Sequence, residues 1–374
     1  MQLRPPRPNQ ISALEDSELA DAQPRAPSAS ARRGSARGEP LRNSNVAGLL
    51  LLTMISWTVY QFLGEGFLSS FNLFTLSQLV AQTAVIGFAQ LVVLVIGRLN
   101  LAVGAVGVSV VMFTGWLAGP LMVNPVLAVV AGLLLGALLG MAMGWLELRT
   151  GLNSFVVTLA VQSIYVGAVL VISGGASVSA LPDSVTKVGG APLFTPGLSV
   201  LALPALVIAA LLWYLYHRSS LGWKMLAVGA NSRAAELGGV AVPRVVIMSF
   251  ALSGLLSGVA GVMEMTRVSA ALPSLGTDWL LSAFIVPILG GTMLTGGAVS
   301  VGGALVAALF LESINSGLVS LNVAAYWQQL AQALILLVAV IADQTGRSRR
   351  LRAKNEVTVR AEATRTGHND HVQK

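Results

Sequence analysis

From residue 47 to residue 342 one apolar stretch follows another, and these 296 residues contain only eight Lys or Arg and seven Asp or Glu. A chain that folds in water needs far more charge. Soluble domains carry roughly 25% charged residues, whereas this chain has 10%, with 55% hydrophobic residues and 39 glycines among its 374 positions. An ordinary soluble globule is excluded, and so is disorder over most of the length. The remaining class is a polytopic membrane protein. The chain has no cysteine, which removes disulfides, thiol nucleophiles and Cys-based metal sites from consideration.

A helix that crosses a bilayer needs about 20 apolar residues. Ten segments are candidates: 47–63, 74–96, 101–119, 125–146, 154–173, 197–216, 244–263, 279–294, 299–319 and 327–342. They divide the chain into a polar N-terminal tail over 1–45, a transmembrane domain over 46–343 and a basic C-terminal tail over 344–374. Both tails lack an apolar period and read as disordered. The first is no signal peptide, because more than forty polar residues precede the first apolar run.

Ten spans place both termini on one side. With the tails cytoplasmic, 20 of the 23 Lys and Arg face inward, including Arg149 and the loop residues Arg218, Lys224, Arg233 and Arg244. Lys187 and Arg267 fall outside, and Arg98 lies near a membrane boundary. This is the positive-inside pattern. It also explains Arg32-Arg33 and the basic run 347–352 as flanks of membrane helices, so the expected partner of these charges is membrane lipid, with no role for nucleic acid. Between the spans, the outer segment 174–196 reads as an irregular cap or short helix. The inner segment 217–243 is the most polar stretch of the membrane domain.

Several chemistries are missing. No G-x-x-x-x-G-K-[ST] occurs, so the chain lacks the phosphate-cradling loop of a P-loop NTPase. His217 is the only histidine within the spans and their loops, and Glu312 is the single acid read as deep in a span. Neither a metal site, nor His-based nucleophilic catalysis, nor a two-carboxylate site is expected. The reading is a protein without catalysis of its own.

Uncharged polar residues mark a candidate substrate pathway. Thr75, Gln78 and Gln82 share one face of the second span, with Gln90 lower on the same helix, and Asn153, Thr158 and Gln162 mark the fifth. Amides and hydroxyls suit a neutral, hydroxyl-rich solute; the competing reading is hydrogen-bonded glue between helices. Glu312 is either a proton or cation carrier or a carboxyl bonded to neighbouring Ser or Asn groups. Gly132, Gly136, Gly140 and Gly144 form a ridge at four-residue spacing that allows close helix packing. In the inner loop, Asn231 or Ser232 is a good N-cap, Ala234-Ala235-Glu236-Leu237 favours helix, and Gly238-Gly239 stops it. A helix of about two turns follows, either docking on a partner or acting as a simple connector.

The pattern Ala227-x-Gly229-x-Asn231-x-x-Ala234-Ala235-x-x-x-Gly239-Val240 resembles the cytoplasmic loop of ABC importer permeases of the ribose-transporter type. Ser154-Phe155-Val156-Val157-Thr158-Leu159 with Gly167 and Gly174-Gly175 looks like the family's fifth span, and Leu289-Gly290-Gly291-Thr292-x-Leu294-Thr295-Gly296-Gly297 like its Gly-rich turn. Asn315-x-Gly317-Leu318 and Trp327-Gln328-Gln329 match its last two spans. The likeness covers about residues 45–343.

The resemblance implies an all-α polytopic fold of about ten transmembrane helices, similar to vitamin B12 importer permeases, in a bacterial inner membrane. It implies two permease copies, identical or not, on a pair of ABC ATPase subunits that bind ATP and Mg, with a periplasmic sugar-binding protein delivering a monosaccharide or similar polyol. Asn231, Ser232, Arg233, Ala234, Ala235, Glu236 and Gly239 would couple to the ATPase. Phe155, Asn100, Glu312 and Asn315 join the pathway candidates named above. The sequence departs from the family where Gly-Gly-x-Asp-Leu-Ser-x-Gly is usual: here Arg98, Asn100 and Ala102 replace glycine, aspartate and serine. Phe284 and Pro287 also replace small residues. The runner-up is an ion- or proton-coupled secondary transporter using Glu312; the third reading is a membrane scaffold using its basic tails.

Overall fold

The computed structural model describes residues 39–63 and 66–341, with side chains from Val46 onward. Most of both tails therefore lies outside the described residues. Among these residues the chain is helical, apart from turns and two isolated antiparallel bridges, Val178 with Ala271 and Pro192 with Ser199. A helix satisfies its own backbone, which is what hydrocarbon demands.

In chain order the helices are α1 (Glu39–Leu63), α2 (Ser70–Leu94), α3 (Val103–Ala118), α4 (Pro125–Thr150), α5 (Ser154–Ser173), α6 (Asp183–Gly190), α7 (Ala202–Arg218), α8 (Ser220–Ala230), α9 (Ser232–Leu237), α10 (Val242–Val268), α11 (Trp279–Leu289), α12 (Val301–Ser320) and α13 (Ala325–Ile341). Six are long and apolar enough to cross a membrane: α2, α4, α5, α10, α12 and the Val46–Leu63 part of α1. The shorter apolar helices α3, α7, α11 and α13 fall where the other four spans are expected.

Local chemistry sets the boundaries. Asn124 accepts from the Val126 amide at 2.9 Å and Pro125 fills the first turn of α4, while Gly151 ends it at φ 67°. Inside α11 sits Pro287, and the helix stops two residues after it, at 11 residues in all. Proline removes one backbone donor and strains the preceding turn.

Helix α2 is the central post: 83% of its most apolar stretch is buried, against 11% for α1. Helix α10 crosses α2, α3 and most closely α4. The glycine ridge makes that last contact. A Cβ at Gly136 would press on the Gly254 carbonyl, one at Gly140 on that of Phe250, and one at Gly254 on that of Gly136. The two backbones therefore touch without intervening side chains, as small-residue ridges allow. On the other side of α4, Leu127, Leu134, Leu138 and Trp145 are exposed, as befits a face in contact with lipid tails.

Two expectations need correction. The 217–243 segment holds two helices, α8 and α9, where one was expected. Glu312 is also not the only acid buried in the long helices, because α4 and α10 run a turn past their expected ends. Glu147 and Glu264 are thereby helical and buried, each beside an arginine, Arg98 and Arg267 respectively. The segment 174–196 contains α6, held by the Val178–Ala271 pair of backbone hydrogen bonds, both at 2.9 Å.

Candidate functional site

Between α2 and α3 the chain runs non-helically through the interior over residues 97–102, turning at Gly97 with φ 73°. Asn100 and Ala102 are fully buried, so every backbone group there needs a partner. Side chains from α2 and α5, and that of Asn100 itself, supply them for Leu99, Asn100, Leu101 and Ala102. Leu99 N–H donates to Ser154 Oγ at 3.1 Å and Leu101 N–H to Thr158 Oγ1 at 3.2 Å. With its amide oriented so that both groups are satisfied, Gln90 brackets Asn100, donating to its carbonyl at 2.7 Å and accepting from its N–H at 3.3 Å. Asn100 itself caps Ala102 N–H at 2.9 Å and donates to Ser253 Oγ at 3.0 Å. The Arg98 guanidinium pairs with Glu147.

Gln90, Asn100 and Thr158 are thus brought together, and their hydrogen bonds are spent on the broken segment itself. The remaining pathway candidates are dispersed. Thr75 donates to its own helix at Phe71 O, and Gln78 donates to the Gly189 carbonyl of α6. Gln82 is buried and Phe155 exposed, while Asn153 caps α5 by accepting from Phe155 N–H at 2.9 Å. Gln162 Oε1 is buried without a partner among the described residues. Glu312 accepts from Thr83 Oγ1 at 2.7 Å and from Asn315 Nδ2 at 3.3 Å, and Gln332 donates to Asn315 at 3.2 Å. That network ties α2, α12 and α13. Thr83 and Ser253 were not anticipated, since a hydroxyl in an apolar run carries no sign of its distant partner.

At the opposite end of the bundle from α6, α8 and α9 form an elbow. Asn231 is the N-cap of α9, its Oδ1 accepting from Ala234 N–H at 3.0 Å, and Gly239 ends the element at φ 83°. Ser232, Arg233, Ala234, Glu236 and Leu237 are exposed, Leu237 at 85%. Ala235 is the exception: it is 8% exposed and faces the bundle. Beside the elbow lies a cavity of about 760 Å³ lined by Gly97, Arg98, Glu147, Asn153, Asn231 and Thr295 among others. The elbow and the broken segment therefore border the same space.

Residues 69–340 match the sequence profile of the family described as branched-chain amino acid transport system / permease component. The chain belongs to this family. It is a multi-pass membrane protein and a transport component rather than an enzyme. Among curated relatives it is 32% identical over 310 residues to the ribose import permease protein of Escherichia coli strain K12, an alignment spanning 81% of this chain and 93% of that protein. It is 31% identical over 327 residues to the L-arabinose ABC transporter permease protein of Azospirillum brasilense, spanning 87% and 95%. The fructose import permease protein of Rhizobium meliloti is 31% identical over 307 residues, spanning 79% and 83%. No solved structure matches the chain.

Proposed function

We propose that the chain is the permease subunit of an ABC importer that passes a monosaccharide or similar polyol through a bacterial inner membrane, with both termini cytoplasmic. A periplasmic binding protein delivers the solute, a second permease copy completes the path, and a cytoplasmic ATPase pair holds ATP and Mg. The observation that carries this reading is α9. A capped, exposed six-residue helix projects from the bundle end where Arg149, Arg218, Lys224, Arg233 and Arg244 also lie exposed. The chain contains no nucleotide-binding loop to move it. Arg233, Ala234, Glu236 and Leu237 offer the ATPase a contact face, with Asn231 fixing the helix start, Ala235 its seating and Gly239 its end.

The names of the relatives favour a sugar. Glu312 has two hydrogen-bond donors in a structural network, which supports a role in holding α2 against α12 over a coupling ion. The test is purification of the tagged chain in mild detergent, followed by uptake with ribose, arabinose, fructose and leucine as competing solutes. Co-purification of a P-loop ATPase, with sugar uptake that survives a protonophore, is the expected result. A chain recovered alone whose uptake persists without ATP overturns it; competition by leucine alone overturns the sugar assignment. Ala234→Trp, on the exposed face, should leave the chain folded and release the ATPase.

A further inference from the structure

We infer that the junction of Gly97, Gly229 and Gly296-Gly297 is the joint through which displacement of α9 reaches the broken segment 97–102; this rests on the proposed coupling of α9 to an ATPase. Three distant stretches of chain meet here backbone to backbone. Gly297 N–H donates to the Val95 carbonyl at 2.9 Å. A Cβ at Gly229 would collide with that same carbonyl and with the Gly297 amide. One at Gly296 would lie 2.5 Å from Gly97 N and 3.0 Å from the Gly229 Cα, and one at Gly297 would lie 2.9 Å from the Ala230 Cα. Gly97, Gly296 and Gly297 all have positive φ, at 73°, 84° and 79°, so glycine is required for both space and conformation.

The position of this junction gives it its role. Ala230 directly precedes Asn231, the cap of α9, and Gly97 directly precedes Arg98 of the broken segment. No side chain intervenes to absorb a shift, and packed interfaces move as units rather than deforming gradually. The far end of α9 leads into α10 through Gly238-Gly239-Val240-Ala241, where the backbone bonds are local to the turn, such as Val240 N–H to the Ala235 carbonyl at 3.0 Å. The cavity of about 760 Å³ flanks the joint and leaves room on that side, with Arg98, Asn231 and Thr295 in its lining.

The chain has no native cysteine, so the complete complex with its ATPase can carry defined pairs of spin labels. In lipid nanodiscs, the Ser232→Cys/Thr295→Cys pair reports across the joint and Ser232→Cys/Arg149→Cys reports across the cavity. ATP binding should change the second distance and leave the first unchanged. Equal changes in both overturn the joint. If neither distance responds in a complex that binds ATP, coupling through α9 fails, and the inference fails with it. Gly229→Ala supplies an independent readout: solute moved per ATP hydrolysed should fall roughly tenfold, in the range that mutations along a coupling route produce, in complexes that still assemble. Gly302→Ala, whose Cβ meets nothing within 4 Å, is the control. An unchanged ratio in Gly229→Ala overturns the inference.

Discussion

Glu147 is 3% exposed and its Oε2 has no partner among the described residues, so the Arg98 guanidinium is what makes the charge tolerable there. Removing one member of a buried ion pair costs about 3 to 5 kcal/mol, because the other is left uncompensated. Arg98→Ala should therefore lower thermal stability in detergent substantially, and adding Glu147→Gln should restore much of the loss. If the double variant is no more stable than Arg98→Ala alone, the pair is not what holds segment 97–102 to α4. The sequence marks Arg98 as a departure from the family pattern, yet its partner lies 49 residues away and one position past the expected end of a span. Gln90, Asn100 and Thr158 are conspicuous for the same reason, as polar residues in apolar runs. That they would bracket a stretch of unpaired backbone is a property of the tertiary fold, and periodicity within one helix does not contain it.

At the level of elements, the long spans were legible because hydrophobic length is a local signal. The four-residue spacing of Gly132 to Gly144 likewise announces a close contact, though not that α10 supplies the other side through Gly254. Gly254→Leu would force α4 and α10 apart; overpacking of this kind costs typically about 1 to 3 kcal/mol. The expected result is a lowered midpoint of thermal unfolding, with Gly302→Leu on α12 nearly neutral as the comparison; equal midpoints would refute the close contact. Helix α9 was recoverable from Asn231 and Gly238-Gly239, because caps are short-range chemistry. Helix α8 was not foreseen: Gly222 and Gly229 weaken its helical pattern, and both are there because backbone carbonyls of neighbouring segments press against them.

For the molecule as a whole, the orientation rests on where the cations lie. Ser232→Cys in α9 and Lys187→Cys in α6 sit at opposite ends of the bundle, and both are exposed. In a chain without other cysteines, a membrane-impermeant thiol reagent should reach Lys187→Cys from outside intact spheroplasts and Ser232→Cys only in inverted vesicles. The reverse pattern would invert the topology and place α9 out of reach of any cytoplasmic motor. Family membership was also legible at this scale, since five motifs in order carry more information than any one of them.

Helix α11, at 11 residues, is about 16 Å long against a hydrocarbon core of roughly 30 Å. On leaving the ribosome it cannot partition into lipid by itself, and the turn that follows would carry the Gly297 amide into oil before the Val95 carbonyl is there to accept from it. Its entry must wait until α2 and α12 are present to receive it. Insertion of α11 is therefore not a partitioning event of its own but a folding reaction inside the protein that the helix completes.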